Sequence, residues 1–268
     1  MKKISILLLL FTICVIFNNY TFVQAEYTQS SAEAVMEVSS GRLLYSHNEK
    51  EKLPMASTTK IVTAITIIEN CDVNSVVEVG KETVDVEGSS VYLKEGDKFT
   101  VRDLLYGLML RSGNDCAETL AVFCCGNIAD FCNLMNDTAK KYGATDSSFK
   151  NPHGLPCKNH YTTAEDLCKI TCHALQNELF STIVSTKTYV ATEIKSGEKR
   201  IWKNKNKLLN FFDGADGVKT GYTKQAGRCL VGSATVNGMK AVSVVLNSPQ
   251  MFERSEELLK TAFSEYKL

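Results

Sequence analysis

Proline is almost missing from this chain, at four in 268 residues, and tryptophan occurs once. So few prolines leave no room for a Pro-rich linker, and no internal repeat or low-complexity tract divides the sequence. Charge of one sign is missing too, since 30 Lys and Arg face 30 Asp and Glu. The first 25 residues hold Lys2 and Lys3 and no acid, so the remainder carries 28 basic against 30 acidic residues, about −2. That balance excludes an electrostatic reason to expect nucleic acid or an anionic membrane surface as a partner. No C-x-x-C pair and no His-rich cluster occurs, which leaves no metal-ligand spacing. With 44% hydrophobic and 22% charged residues, the composition is that of a globular chain with a sizeable core.

The longest apolar run, Ile4 to Phe17, is interrupted only by Ser5 and Thr12 and follows the two lysines. It is too short to span a bilayer comfortably and has the layout of an export signal. Val23 and Ala25 supply small residues at −3 and −1, so cleavage is expected after Ala25 and the exported chain begins at Glu26. Ten cysteines would ordinarily suggest disulfides in an exported protein, but Cys14 lies in the leader and nine is odd. Cys124 and Cys125 are adjacent and Cys168 and Cys172 are one helical turn apart, which suits small core hydrophobes better than bridges or a zinc site.

Hydrophobic periodicity divides the chain into strands at both ends and helices between. Alternation over Ala34 to Val38, a turn at Ser39 to Gly41 and a strand from Arg42 to Ser46 predict an edge hairpin. Ile61, Ala64, Ile65 and Ile68 then fall at helical spacing within Ser57 to Glu69. Helices are expected over Val101 to Leu110, Asp115 to Cys125, Ile128 to Tyr142 and Thr162 to Gln176. Strands return around Lys219, Cys229 to Val236 and Lys240 to Leu246, with Asn237 and Gly238 as a hairpin turn, and a helix from Phe252 to Tyr266 closes the chain. The fold class this implies is α+β: an antiparallel sheet formed by N- and C-terminal strands, covered by helices, in a single domain over residues 26–268.

Three short motifs occur in order: Ser57-Thr-Thr-Lys60, Ser112-Gly-Asn114 and Lys219-Thr220-Gly221. S-x-x-K alone is weak, because Ser147/Lys150, Ser196/Lys199 and Ser264/Lys267 also match it. Ser57 differs in sitting at the start of a strongly periodic, buried helix. There a backbone N–H and the helix dipole can face a developing oxyanion, and Lys60 falls on the same helix face one turn on. A plain N-cap serine with a solvated lysine is the simpler account of that pair taken alone. A Lys-Thr-Gly on a strand downstream of both other motifs reverses the preference.

Together these residues resemble the serine D-alanyl-D-alanine carboxypeptidases, the low-molecular-mass penicillin-binding proteins, whose S-x-x-K and K-T-G signatures are shared with class A β-lactamases. The likeness extends over Leu53-Pro-Met-Ala-Ser-Thr-Thr-Lys60, Leu110-Arg-Ser-Gly-Asn-Asp115, Asn151-Pro-His-Gly-Leu155, Gly217-Val-Lys-Thr-Gly221 and Arg254-Ser-Glu256. The resemblance implies a β-lactamase/transpeptidase-like fold and an enzyme that removes the terminal D-alanine from peptidoglycan stem pentapeptides through an acyl-enzyme. It also implies β-lactam antibiotics as covalent inhibitors and no cofactor. Ser57 would be the nucleophile, Lys60 its base and Ser112 the relay to the leaving nitrogen, while Asn114 would fix Lys60 and the substrate amide. Lys219 and Thr220 would receive the terminal carboxylate with Gly221 beside them in the substrate site, the backbone of Ser57 and Tyr222 would form the oxyanion hole, and Arg254 would face the cleft beside Lys219 and Thr220 to hold that carboxylate.

Two departures stand out. Tyr222 follows the K-T-G motif where His or Thr is common, and with the sequence ending at Leu268 the second β domain and amphipathic C-terminal anchor of many relatives are not expected. Two other functions compete. A class A-like β-lactamase would need a deacylating carboxylate, for which Glu165 is nearest, but Thr162-x-x-Glu165 reads better as a capping box. A non-catalytic wall-binding module would have no use for the complete serine and lysine set. His47, His153, His160 and His173 form no metal or triad pattern, and His153 reads as a loop-ordering residue.

Overall fold

A computed structural model describes residues 31–266, so the leader expected at residues 1–25 lies outside the described residues. Strand β1 (Ala32–Glu37) turns back into β2 (Leu43–His47), which is mostly exposed and forms one edge of the main sheet. The strands from the far end of the chain, β7 (Ala215–Thr223), β8 (Gly227–Val236) and β9 (Met239–Leu246), join them in the antiparallel order β2-β1-β9-β8-β7. Asn237 (φ 49°) and Gly238 (φ 84°) make the tight β8–β9 turn, both in the left-handed region that a two-residue hairpin requires. The expected sheet of first and last strands is the one observed.

Strand β1 does not alternate in burial as expected, because both of its faces are covered. Ala32, Ala34 and Met36 face the main core, while Val35 belongs to a smaller cluster with Leu258, Leu259 and Ala262. Those last three lie on the closing helix α8 (Met251–Glu265), which covers the outer face of the sheet.

On the inner face, α1 (Lys60–Asn70) runs through the protein's centre, buried at every residue from Lys60 to Ile67. Helix α2 (Val101–Tyr106) packs on α3 (Asn114–Cys125), which with α4 (Ile128–Lys141), α5 (Ala164–Leu175) and α6 (Glu178–Ser185) surrounds α1, and the short α7 (Leu208–Phe211) lies against β7. Cys116, Cys132, Cys168, Cys172 and Cys229 are buried unpaired thiols, and burial pushes Cys132 up to about 11 and Cys172 and Cys229 up to about 12. Among the described residues no helix is long and apolar enough to cross a membrane.

Several elements differ from expectation. Strands β3 (Val76–Glu78) and β4 (Lys98–Thr100) pair across a long loop, and β5 (Thr188–Thr192) and β6 (Lys199–Lys203) form a separate hairpin. These strands are short or mostly exposed, so they carry little hydrophobic pattern to read. The α5 cap is Thr163, whose hydroxyl accepts from Asp166 N at 3.1 Å, one residue later than the expected box. Thr162 is instead paired with Leu53 through backbone bonds, and Glu165 forms an ion pair with Lys169 at 2.8 Å.

The largest correction concerns Arg254. Its guanidinium lies over β1 and β2, not beside Lys219 and Thr220, and donates to both oxygens of Glu33 at 2.9 and 2.7 Å and to Tyr45 Oη at 3.0 Å. A third nitrogen reaches Glu257 at 2.9 Å. Glu33 is 3% exposed on an apolar strand face, so its carboxylate takes the nearest cation that α8 offers. Arg254→Ala is therefore expected to lower unfolding free energy by about 1–3 kcal/mol, as a buried carboxylate loses its paired donors. Urea denaturation checks this, and a change below about 0.5 kcal/mol would contradict it.

Candidate active site

Ser57 sits in a 3₁₀ turn (Ala56–Thr59) that runs straight into α1. The two threonines of Ser57-Thr-Thr-Lys60 hold this turn: Thr58 donates to Met55 O at 2.7 Å and Thr59 to Ala56 O at 2.8 Å. His160 braces it from below. Its Nδ1 accepts from Lys150 N at 3.0 Å, so its Nε2 carries the proton that faces Thr59 Oγ1 at 3.0 Å. Burial pulls the His160 pKa down to about 4, which keeps that ring neutral near pH 7.

Two glycines allow the chain to close around the serine. A Cβ at Gly154 (φ 94°) would stand 1.9 Å from Ala56 O, and one at Gly221 would stand 3.0 Å from Ser57 N. A side chain at Gly154 would thus collide with the serine turn, and one at Gly221 on β7 would crowd it. Ala56 itself has φ 48°, a left-handed conformation that costs a non-glycine residue about 1 kcal/mol or more.

Lys60 is fully buried, with three acceptors around its nitrogen: His153 O at 2.6 Å, Asn114 Oδ1 at 2.7 Å and Ser57 Oγ at 3.2 Å. Desolvation lowers its pKa well below that of a free lysine, and the charge of Lys219 lowers it further. In the neutral amine two N–H groups satisfy the carbonyls of His153 and Asn114. The lone pair then has one direction left, toward the Ser57 hydroxyl.

The other side of the cleft is set by α2 and α3. After α2 the helix widens into a π turn (Gly107–Arg111) and ends on Ser112, which is in the left-handed conformation at φ 65° and 5% exposed. Asn114 opens α3, its Nδ2 donating to Glu87 O at 2.5 Å. Asp115 accepts from the backbone N–H groups of Val91 and Leu93 and from the Ser90 hydroxyl, which fixes the loop carrying Ser89. His153 orders its own loop as expected, its Nδ1 accepting from Leu155 N at 3.2 Å while Nε2 faces Glu118 at 3.3 Å.

The third wall is β7. Lys219 is 2% exposed and donates to Thr220 O at 2.8 Å, and burial draws its pKa down to about 7. Ser57, Ser112, Thr220, Gly221 and Tyr222 open onto a common cleft of about 290 Å³, with Lys60, Asn114 and Lys219 buried in or beside its walls. Arg254 is the one sequence-expected site residue that stands elsewhere. Five residues at the cleft were not anticipated: the polar Ser89, Lys205, whose Nζ donates to Ser89 Oγ at 3.2 Å, and Arg228, and the apolar Met251 and Phe252. The first two arrive on loops that carry no periodicity. Arg228 could have been found from the β7–β8 register, which sets it opposite Tyr222.

An α+β sheet with a serine and lysine pair, a second serine and a Lys-Thr-Gly strand around one cleft defines the penicillin-binding class of serine proteins. The chain belongs to the D-alanyl-D-alanine carboxypeptidase family, whose model matches residues 19–250. It is 34% identical to D-alanyl-D-alanine carboxypeptidase DacF of Bacillus subtilis (strain 168), covering 89% of this chain and 63% of that protein. It is 36% identical to the D-alanyl-D-alanine carboxypeptidase of Streptomyces sp. (strain K15), over 84% of this chain and 83% of that one. Among solved structures, the Streptomyces K15 DD-transpeptidase superposes with a TM-score of 0.81 at 33% identity, covering 87% of this chain and 96% of that one. Carboxypeptidase DacD from Francisella tularensis gives a TM-score of 0.81 at 30% identity, covering 88% and 70%. The chain thus spans just under two thirds of the B. subtilis relative's length.

The lowered Lys219 pKa has a consequence for stability. Between about pH 7 and the ordinary lysine value of 10.5, the unfolded chain binds a proton at Lys219 that the folded chain does not. The term from Lys219 therefore rises with pH in that window, by up to about 1.4 kcal/mol per unit. Above pH 8 the buried thiols act oppositely, because unfolding frees them to ionise. Comparing urea denaturation of the parent and Lys219→Met at pH 7 and pH 8 isolates the effect. The parent should gain more stability over that step than the variant, and equal gains would contradict a proton-poor Lys219.

Proposed function

We propose that this chain is a serine-type D-alanyl-D-alanine carboxypeptidase that removes the terminal D-alanine from peptidoglycan stem pentapeptides and is acylated by β-lactams. The observation that carries the reading is the 3.2 Å approach of Lys60 Nζ to Ser57 Oγ, at an amine buried and held by two carbonyls. A serine hydroxyl is a poor nucleophile until a base takes its proton, and a lysine can be that base only when neutral.

In this reading Lys60 takes the hydroxyl proton as Ser57 Oγ bonds to the carbonyl carbon of the penultimate D-alanine. The N–H groups of Ser57 and Tyr222 face the resulting oxyanion. Ser112, lining the same cleft, passes the proton to the leaving nitrogen, the C–N bond breaks, and D-alanine departs from an ester on Ser57. Water then attacks the ester and releases the shortened peptide. Asn114 keeps Lys60 aimed, while Lys219, Thr220 and Gly221 form the carboxylate end of the cleft.

Export by the N-terminal leader would put this activity outside the cytoplasm, at the wall whose biogenesis and shape it would serve, within one catalytic domain over residues 26–268. A β-lactamase reading is disfavoured because Glu165, the carboxylate proposed for deacylation, is engaged with Lys169. A wall-binding module would have no reason to bury two lysines around a serine.

Labelled penicillin and a D-Ala-D-Ala pentapeptide test the assignment together. The parent should release D-alanine and retain label on Ser57 by peptide mapping, and Ser57→Ala should do neither. Acylation should rise with pH as Lys60 loses its proton, since the neutral amine is the base. Lys60→Arg keeps the charge but supplies no neutral amine, so its acylation should fall well over tenfold. No label would favour the binding module, rapid loss of label a β-lactamase, and Lys60→Arg within tenfold of the parent would refute the role given to Lys60.

A further inference from the structure

A carboxypeptidase must grip a free terminal carboxylate, and the two cations first expected to do so beside Thr220 are both engaged elsewhere. Arg254 is committed to Glu33 on the far side of β1. Lys219 is buried and spends one N–H on Thr220 O. Lys205 reaches the cleft but is turned onto Ser89. Arg228 is different: it is exposed at the rim of the cleft, and among the described residues its guanidinium has no carboxylate partner.

The sheet register explains why Arg228 points usefully. On β7, Thr220 and Tyr222 lie two residues apart and so share a face. On β8, Arg228 pairs directly with Tyr222 and Leu230 with Thr220, so Arg228 is the diagonal neighbour of Thr220. Diagonal Cβ atoms in an antiparallel pair are about 7–8 Å apart, within the reach of an arginine. Its guanidinium carbon lies 5.6 Å from the centre of the Tyr222 ring, a cation–π arrangement that holds the fork beside that ring at the rim of the cleft. Tyr222, 62% exposed, supplies a shelf that a threonine at this position would lack.

We propose, resting on the carboxypeptidase reading above, that Arg228 on its Tyr222 shelf is the substrate-binding group that pairs with the terminal carboxylate of the peptide, together with the Thr220 hydroxyl. The fork of the guanidinium matches a carboxylate with two parallel N–H···O bonds, and such bonds to a charged group are about twice as strong as neutral ones. Arg228 with Tyr222 thereby sets the preference for a free C-terminus over an internal peptide bond.

The test compares Arg228→Ala, Arg228→Lys and the parent on a peptide ending in D-Ala-D-Ala and on the same peptide with its C-terminus amidated. A second pair of reagents, penicillin and its methyl ester, asks the same question of acylation alone. Arg228→Ala should lose about tenfold or more in kcat/KM on the free acid, chiefly through KM, with less than threefold change on the amide. Arg228→Lys should recover part of the loss, and penicillin should be slowed where its ester is not. Thermal unfolding should match the parent, since this arginine bridges no buried acid. Equal losses on acid and amide, or no loss, would overturn the assignment. A parent that takes up penicillin without releasing D-alanine would refute the carboxypeptidase reading instead, leaving penicillin against its ester to decide Arg228. A parent inert to both would refute the two together.

Discussion

An amine with no water around it must have acceptors supplied by the protein or give up its charge, and Lys60 is arranged to do both. Its nitrogen meets one carbonyl from the Gly154 loop, one from Asn114 and one hydroxyl from its own turn. Placing those groups requires two distant stretches of chain, around Asn114 and His153, to converge on the turn that carries Ser57 and Lys60. That requirement accounts for much of the surrounding architecture. The buried helix carries the lysine, the left-handed Ala56 aims the serine, and the glycines at 154 and 221 let a loop and a strand press against the turn.

The same burial gives the cleft its electrical character. Lys219 lies close enough to depress Lys60, and Lys205 adds to the repulsion felt by both. Lys60 and Lys219 are both buried, so each is pushed toward the free amine, and the charge of Lys219 adds to the push on the group beside the serine. An anion entering the cleft would relieve that repulsion, which ties recognition of a carboxylate to the protonation of the lysines that face it.

The sheet and its covering helices were legible in the sequence because their core faces repeat at strand or helix period. Lys60 could be placed with Ser57 for the same reason, being one turn along a helix with a clear apolar pattern. The β3–β4 and β5–β6 pairs were not legible, since three-residue or exposed strands have too few buried positions to set a period. Strand β1 misled in another way: buried on both faces, it hides Glu33 and Glu37 among apolar residues, and Glu33 then draws Arg254 away from the cleft. Arg254 was misassigned because position along a helix does not reveal which buried acid lies across from it. Arg228 escaped notice because its role depends on a cross-strand register, which no single strand's sequence displays.

The role given to Ser57 depends on Lys60 being a free amine at the pH where the serine is acylated. Nuclear magnetic resonance of protein carrying 13C-labelled lysine, with the Lys60 signal assigned by its loss in Lys60→Arg, reads that protonation state directly. Burial and the nearby charge of Lys219 should make the Lys60 side chain lose its proton well below the ordinary lysine range. A Lys60 signal that stays in the ammonium position until pH 10 would contradict it.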